Sequence, residues 1–391
     1  MTRAGLVVVG GGPAAHAAAA AYREAGGAGA VVLLTAEGRR PYNRPPLSKE
    51  LLRGELEPDA VALEDPSWYA DRGVEVRVGR VAALDLAGDR VLLDDGEEHA
   101  YETCVLATGA EPVRLPVDGA DLPNVHLLRS VEDALALRVA ARPDARAVVV
   151  GSGFIGCEAA ASLRMRGCDV ALLSMEPAPQ TARLGPEVGA RLAGWLEEAG
   201  VAARYDASVD RIEATGDHGL RVVATEGDPL DADLVLLAAG VRPRSDLARD
   251  AGLTLAEDDE IAADETMRTS APRVLACGDC ARARHALAGR PLHVEHWGDA
   301  LAQGEIAGTT AAGGEAAWRT VPGFWSTIGE RTLKYAAWGD GFDEVHVREH
   351  GNGAFTAWYE ADGRCVGVLA HERDEDYETG RELIERGAPV P

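Results

Sequence analysis

Two glycine turns and two lysines mark where this chain could do chemistry. Gly151-x-Gly153-x-x-Gly156 follows an apolar run, residues 147–150, and opens an alanine-rich helix read as residues 158–166. A strand, a glycine turn and a helix N-terminus together suit a dinucleotide pyrophosphate. The first glycine makes the turn, the second lets the backbone approach the phosphates, and the third lets helix pack on strand. The free N–H groups of the helix start, Phe154 and Ile155 included, face the anion at the positive end of the dipole. A second copy, Gly10-x-Gly12-x-x-Ala15, follows residues 5–9 and holds Pro13 and Ala14 inside it. Alanine is permitted at its third position. Glu37 falls just past the next strand, residues 31–34, where an acid accepts hydrogen bonds from an adenosine ribose; an ordinary acidic loop residue is the alternative. Lys49 and Lys334 are the only lysines among 39 basic residues, so each calls for a reason.

Composition narrows the classes. A chain of 391 residues holds more than one domain on the usual prior of about 100–200 residues each. A formal charge of -25 argues against nucleic-acid binding, which wants basic surfaces. The 6 cysteines are scattered, which suits a reducing compartment and not a disulfide scaffold. The start of the chain resembles a secretory leader, but Gly10 to Pro13 break its apolar core where a phosphate turn belongs. No run reaches the ~18 apolar residues of a membrane helix. A soluble, cytoplasmic protein without a membrane or nucleic-acid partner is the expectation.

The elements that must position these turns follow from periodicity. Short apolar runs at 5–9, 31–34 and 101–107 read as buried strands, the last ending in Ala107-Thr108-Gly109. The prolines of residues 41–46 force an extended path before a short helix near 50–53. Residues 114–123 are proline-punctuated, a crossing between domains. Ser130, with Asp133 three residues on, caps a helix over 130–141. The second turn has its own strands at 170–173 and 234–238, closing near Gly240. The chain then returns, through 273–279, to the first module. From Val321 the aromatic runs 324–326, 333–338 and 355–359 and a terminal helix at 377–386 read as something smaller. The expected fold is α/β, with two Rossmann-like nucleotide-binding domains and a small C-terminal α+β domain. The expected division is 1–112 with 241–320, then 113–240, then 321–391.

In chain order, the N-terminal G-x-G-x-x-A, Arg44-Pro45-Pro46-Leu47-Ser48-Lys49, Ala107-Thr108-Gly109, the second glycine turn ending in Glu158, Ala276-Cys277-Gly278-Asp279 and Glu295-His296-Trp297 occur together. This set resembles the FAD-dependent, NAD(P)H-using ferredoxin reductases of Rieske oxygenase and bacterial P450 systems, over nearly the whole chain. The resemblance implies FAD along Gly10, Gly12, Pro13, Ala14 and Ala15 with Glu37 on its ribose, and NAD(P)H at Gly151 to Gly156. It implies that Arg44 and Lys49 reach toward the flavin and that Val81 and Arg129 touch FAD. Gly278 and Asp279 serve the ribitol, and Glu295, His296 and Trp297 stand by the pyrimidine end of the ring. It pairs Lys49 with Glu158 near the hydride-accepting atom. A buried charge is costly unless paired, so each residue accounts for the other. A structural interdomain salt bridge is the blander reading of that pair. Among the expected catalytic and cofactor residues no metal ligand is included.

The nicotinamide preference rests on the end of the second strand of the second module. Ser174 stands where an acid favouring NADH usually sits, and Glu176 is two residues on. Glu176 would take the ribose hydroxyls and repel a 2′-phosphate, whereas Ser174 with Arg183 would accommodate one. NADH is the favoured reading, with NADPH open.

Cys277-Gly278-Asp279-Cys280 is not expected to be a redox pair, because Gly278-Asp279 is already used at the flavin. No cysteine precedes Cys104, so the reactive early cysteine of disulfide reductases is missing. Electrons are therefore expected to leave singly to a carrier, which the resemblance implies is a [2Fe–2S] ferredoxin, with Trp325 a candidate for the flavin edge facing the acceptor. Where ferredoxin reductases often read F-W-S-D-Q, this chain reads Phe324-Trp325-Ser326-Thr327-Ile328. An acidic protein that docks an acidic ferredoxin needs a local basic patch. Arg39, Arg40, Arg282, Arg284, Arg290 and Arg331 are candidates, and scattered solvated arginines are the alternative. Two other functions compete: a flavoenzyme acting on a small molecule or oxygen without a carrier, and a flavoprotein whose redox state switches a binding partner. The chain is expected as a monomer or homodimer.

Overall fold

The strand Ala4–Val9 forms because its residues are apolar on both faces. Leu6 and Val8 enter one core, and Val7 and Val9 enter another on the opposite face. A strand buried on both sides reads as a continuous apolar run and belongs inside a parallel sheet. In the computed structural model, which describes residues 3–216 and 219–391, it lies between two parallel neighbours. These are Val31–Thr35 on one side and Glu98–Leu106 on the other. The chain leaves this sheet after Leu106, builds a second sheet, and returns as Val274–Ala276, which pairs in parallel with Glu98–Leu106.

The second sheet repeats the plan. Its five parallel strands run in the order Ala202–Arg204, Asp169–Leu173, Arg146–Val150, Leu234–Leu237 and Val125–His126. Both sheets thus place a glycine turn at the carboxyl end of a central strand, where open α/β sheets bind ligands. Two short strands, Ala110–Pro112 and Val241–Pro243, pair antiparallel where the chain passes out of the first sheet and back.

The helix after the second turn spans Phe154–Met165 and starts four residues earlier than expected. Phe154 and Ile155 are helical, and Gly153 is the cap. The helix following the first turn, Pro13–Glu24, packs along Trp297–Ala311. That contact needs glycine: a Cβ on Gly304 would stand 2.3 Å from the Ala14 carbonyl, and one on Gly308 2.2 Å from that of Ala18.

The C-terminal segment is a five-stranded antiparallel sheet in the order Gly323–Ile328, Arg331–Ala337, Arg364–His371, Ala354–Ala361, Glu344–Gly351. The helix Asp374–Arg386 lies on it, with Gly380 against Val368. Its inner face is continuous with the second sheet: Leu333, Tyr335, Phe355 and Tyr359 share one core with Leu163, Leu184 and Leu192. The architecture is therefore α/β with two Rossmann-like parallel sheets and a C-terminal antiparallel sheet. The strands Val81–Asp85, Val209–Thr215 and Glu344–Gly351 were not legible in the sequence. Val209–Thr215 and Glu344–Gly351 carry charged residues along much of their length, and Val81–Asp85 is short and exposed at its alanines, so no long apolar run announces any of them.

Candidate active site

A cavity of about 850 Å³ opens between the carboxyl ends of the two parallel sheets and the C-terminal sheet. Both glycine turns face it. Gly10 has φ of 142°, and a Cβ there would meet the Ala107 carbonyl at 2.0 Å. Gly12 caps Pro13–Glu24 without a side-chain hydrogen bond, and nothing fills the space above it. In the second turn Gly151 has φ of 106°, and a Cβ on Gly156 would strike the Gly151 carbonyl at 2.1 Å. Gly153 caps Phe154–Met165, again without a side-chain partner. Two helix starts thus present uncapped N–H groups into open space, which fits a pyrophosphate at each. The Trp297 indole N–H is buried and meets no acceptor among the described residues, as expected of a group that awaits a ligand.

The centre of the site is a buried ion pair. Lys49 Nζ lies 2.7 Å from Glu158 Oε2, with the residues 6% and 3% exposed. Lys49 sits at the joint between the 3₁₀ turn Pro45–Ser48 and the short helix Glu50–Arg53. Glu158 lies in the second turn's helix. Ser162, one helical turn further on, donates to the Ser48 carbonyl at 2.8 Å and so clamps the same loop. Ser48 Oγ donates to Glu158 Oε2 at 2.5 Å, Ser326 Oγ to Oε1 at 2.7 Å, and the Thr327 N–H to Oε1 at 3.2 Å. Glu158 therefore joins the first fold, the second fold and the C-terminal sheet. Ser48, Ser326 and Thr327 were not singled out in the sequence, although each lies inside or beside a motif read there.

A second network lines one wall. Arg44 donates to Glu37 Oε1 at 2.8 Å and to the Arg129 carbonyl at 2.7 Å, while Tyr42 donates to Glu37 Oε2. Arg129 pairs with Asp279 at 2.7 Å. Burial pushes the Glu37 carboxyl up, but Arg44 and the Tyr42 hydroxyl outweigh it and hold it below the usual range. Burial drives the Tyr42 phenol well up. Tyr42 is the member of this chain that the sequence reading passed over.

At the far wall aromatic rings gather. Trp297 meets Trp325 edge-on at 5.7 Å, and Trp325 is 42% exposed. Phe324 touches Phe154 and His296, each at 4.6 Å. His296 Nδ1 lies 3.1 Å from buried Asp299. His293 sits between Glu260, which is fully buried, and Glu295, 3.2 Å away. Hydrogen bonds to those two carboxylates push the His293 ring up to about 10.

Of the residues expected at cofactor positions, Pro13, Ala14, Arg44, Lys49, Ala107, Gly109, Arg129, Gly153, Phe154, Ile155, Glu158, Gly240, Gly278, Asp279, Glu295, His296, Trp297 and Trp325 line the cavity. Gly10, Gly12, Ala15, Gly151 and Gly156 belong to the turns without lining the cavity, and Gly10, Gly151 and Gly156 are packed against backbone where a Cβ has no room. Thr108 donates to the Arg244 carbonyl at 2.5 Å, at the crossing between the sheets. Glu37 stands behind Arg44. Val81 does not line the cavity: it begins an outer strand and packs on the core of the first sheet. Glu176 also lies off the wall, its carboxylate accepting the Ala182 N–H at 3.0 Å. Ser174 is buried with its hydroxyl 2.6 Å from that of Ser152. The arginines considered as a docking patch are largely neutralised. Arg39 pairs with Glu132, Arg282 with Asp258, Arg284 with Glu265, Arg290 with Asp340 and Arg331 with Glu198.

All six cysteines are free and buried. Burial pushes the Cys277 and Cys280 thiols up, so neither offers a ready thiolate. Among the described residues no helix is long and apolar enough to cross a membrane.

Two parallel sheets with a glycine turn each, meeting over one cavity with a buried cation, define a two-nucleotide oxidoreductase fold. The pyridine nucleotide-disulphide oxidoreductase family matches residues 4–304, and the reductase C-terminal family matches residues 323–391. The chain belongs to the pyridine nucleotide-disulphide oxidoreductases. It is 34% identical over 317 residues to the biphenyl dioxygenase system ferredoxin–NAD(+) reductase component of Paraburkholderia xenovorans, covering 81% of this chain and 76% of that one. It is 33% identical over 303 residues to a rubredoxin–NAD(+) reductase of Pseudomonas putida, covering 77% and 78%. The crystal structure of the ferredoxin reductase for the CYP199A2 system from Rhodopseudomonas palustris superposes with a TM-score of 0.94 at 30% identity, covering 98% of this chain and 95% of that one.

Proposed function

We propose that this protein is an FAD-dependent NAD(P)H:ferredoxin oxidoreductase that supplies a [2Fe–2S] ferredoxin of an oxygenase or P450 system. The observation that carries this reading is the buried Lys49–Glu158 pair, which joins the two nucleotide folds at the cavity both turns face. The first fold, residues 1–112 with 241–320, is assigned to FAD. Residues 113–240 are assigned to the nicotinamide nucleotide, and 321–391 to the acceptor side. Bound there, FAD would supply an acceptor for the nicotinamide hydride and a donor of single electrons to the carrier.

The chain's own residues do the rest. Lys49 sets a fixed cation where negative charge grows, in a site from which water is largely withdrawn. Glu158 holds that cation in place without needing to move a proton. Arg44 and Arg129, locked by Glu37 and Asp279, orient the nucleotide along the wall. Trp297 and Trp325 close the far edge against solvent and lead to the surface where a protein acceptor arrives. The absence of any cysteine before Cys104 agrees with exit by single electrons and not through a thiol.

NADH is the favoured donor. The biphenyl dioxygenase system reductase and the rubredoxin reductase to which this chain is similar are named for NAD(+), and Ser174, buried against the Ser152 hydroxyl, offers no cation to a 2′-phosphate. The test is stopped-flow reduction with NADH and with NADPH, followed by reoxidation with a [2Fe–2S] ferredoxin. Fast bleaching with NADH and ferredoxin-dependent cytochrome c reduction are expected. Cytochrome c reduction that ignores added ferredoxin overturns the carrier reading and leaves an enzyme that acts directly on small acceptors or oxygen.

A further inference from the structure

Four donors hold the Glu158 carboxylate, and they come from two directions. Lys49 and Ser48 saturate Oε2 from the first fold. Ser326 and the Thr327 N–H saturate Oε1 from the C-terminal sheet. Ser326 is 1% exposed, and its hydroxyl contact is the shorter of the two on that side. Its place is set rigidly. The strand Gly323–Ile328 pairs without a break in register with Arg331–Ala337, from Gly323 opposite Ala336 to Ile328 opposite Arg331. Leu333, opposite Ser326, is fully buried in the core shared with the second fold. Side chains alternate along a strand, so Trp325 faces outward while its neighbour Ser326 faces the carboxylate.

We propose that Ser326 is a positioning residue for hydride transfer, through which the C-terminal sheet orients Glu158 and so places the Lys49 ammonium. The inference rests on the reading of Lys49 as the cation beside the flavin. With the hydroxyl gone, Oε1 keeps a single N–H at 3.2 Å, so the side of the carboxylate that faces the C-terminal sheet is held more loosely while Oε2 keeps Lys49 and Ser48. The ammonium that follows the carboxylate is then placed less firmly, and a charge aimed loosely at the reacting atoms stabilises them less. The third domain is then part of the hydride site and not solely a dock for the acceptor.

The experiment uses the full-length, FAD-loaded protein with Ser326→Ala, Ser326→Cys and Ser326→Thr. Flavin reduction by NADH, the flavin midpoint potential and its visible spectrum are measured. Loss of one buried hydrogen bond to a charged group is worth about tenfold. Ser326→Ala is expected to slow flavin reduction about tenfold, to change the KM for NADH by less than about twofold, and to move the midpoint potential to a more negative value. Ser326→Thr, which keeps the hydroxyl, is expected to recover most of the rate. Should the alanine variant fold poorly, the near-isosteric Ser326→Cys is read in its place with the same expectation. Wild-type rate and potential in the variant overturn the inference while leaving the reductase reading intact. So does a lost rate that accompanies a lowered melting temperature with no change in potential or spectrum. If the wild-type flavin is itself not reduced by NADH, the reductase reading falls instead.

Discussion

Lys49 and Glu158 are more costly apart than together. Each is buried, and removing one partner of a buried pair leaves the other charge uncompensated, at about 3–5 kcal/mol. Lys49→Met is expected to lower the apparent melting temperature and to slow flavin reduction by NADH at least tenfold. The double variant Lys49→Met/Glu158→Leu is expected to regain much of the stability, since apolar replacement of a buried pair is often neutral, while reduction stays slow. Thermal shift and stopped-flow traces on the same samples separate the two effects. If the double variant reduces at the wild-type rate, the pair only holds domains together. His293 gives a residue-scale prediction in pH. Its hydrogen bonds to Glu260 and Glu295 raise it from 6.5 to about 10. A protonated ring therefore stabilises the fold fully below about 6.5, and that contribution fades as pH rises through about 10. The melting-temperature gap between wild type and His293→Gln is expected to be widest near pH 6 and to close above pH 10. A gap that is flat across this range would show that the ring's charge is not what holds it.

At the scale of elements, the two glycine turns differ in what they tolerate. The first carries alanine at position 15, buried in its own sheet's core, whereas a Cβ on Gly156 would strike the Gly151 carbonyl. Gly156→Ala must push the helix Phe154–Met165 away from its strand, at the cost of overpacking, about 1–3 kcal/mol. The KM for NADH is expected to rise about tenfold or more while flavin content stays full, because the other nucleotide is held by a different sheet. Loss of bound flavin from this variant would contradict the assignment of the two turns. The converse holds at Gly308, whose missing Cβ lets Trp297–Ala311 lie on Pro13–Glu24. Gly308→Leu is expected to purify with little flavin, read directly from its visible absorbance.

For the whole molecule, charge is the governing quantity. The protein carries -25, and its arginines are mostly spent on neighbouring acids, as Arg39, Arg282, Arg284, Arg290 and Arg331 are. Lys334, the lysine outside the cavity, is paired with Asp374 at 2.8 Å. Long-range attraction to an acidic ferredoxin is therefore absent, and repulsion is screened as the Debye length falls from about 30 Å at 0.01 M to about 8 Å at 0.15 M salt. The kcat/KM for an acidic ferredoxin is expected to rise over that interval. A fall would reveal a basic docking patch that the ion pairs conceal. Docking that leans on the exposed face of Trp325 is expected to weaken in Trp325→Ala, seen as a raised KM for ferredoxin in ferredoxin-dependent cytochrome c reduction.

Much of this was legible in the chain alone. Glycine turns, buried strands and the order of the motifs are local properties, because a strand buried on both faces must be apolar and a tight turn with positive φ must be glycine. The α/β architecture and the two nucleotide folds follow from such stretches, while Lys49, Glu158, Arg44, Asp279 and Trp297 were named through the family resemblance that the order of the motifs carries. Other facts belong to the tertiary structure. Ser48, Ser326 and Thr327 meet Glu158 from positions 110, 168 and 169 residues away in sequence. Nothing local marks a serine that will donate to a distant carboxylate. The neutralised arginines, the engagement of Glu176 by the Ala182 N–H and the outward place of Val81 were likewise decided by packing. A side chain's type is written at one position, but its partners are chosen by whichever elements fold against it.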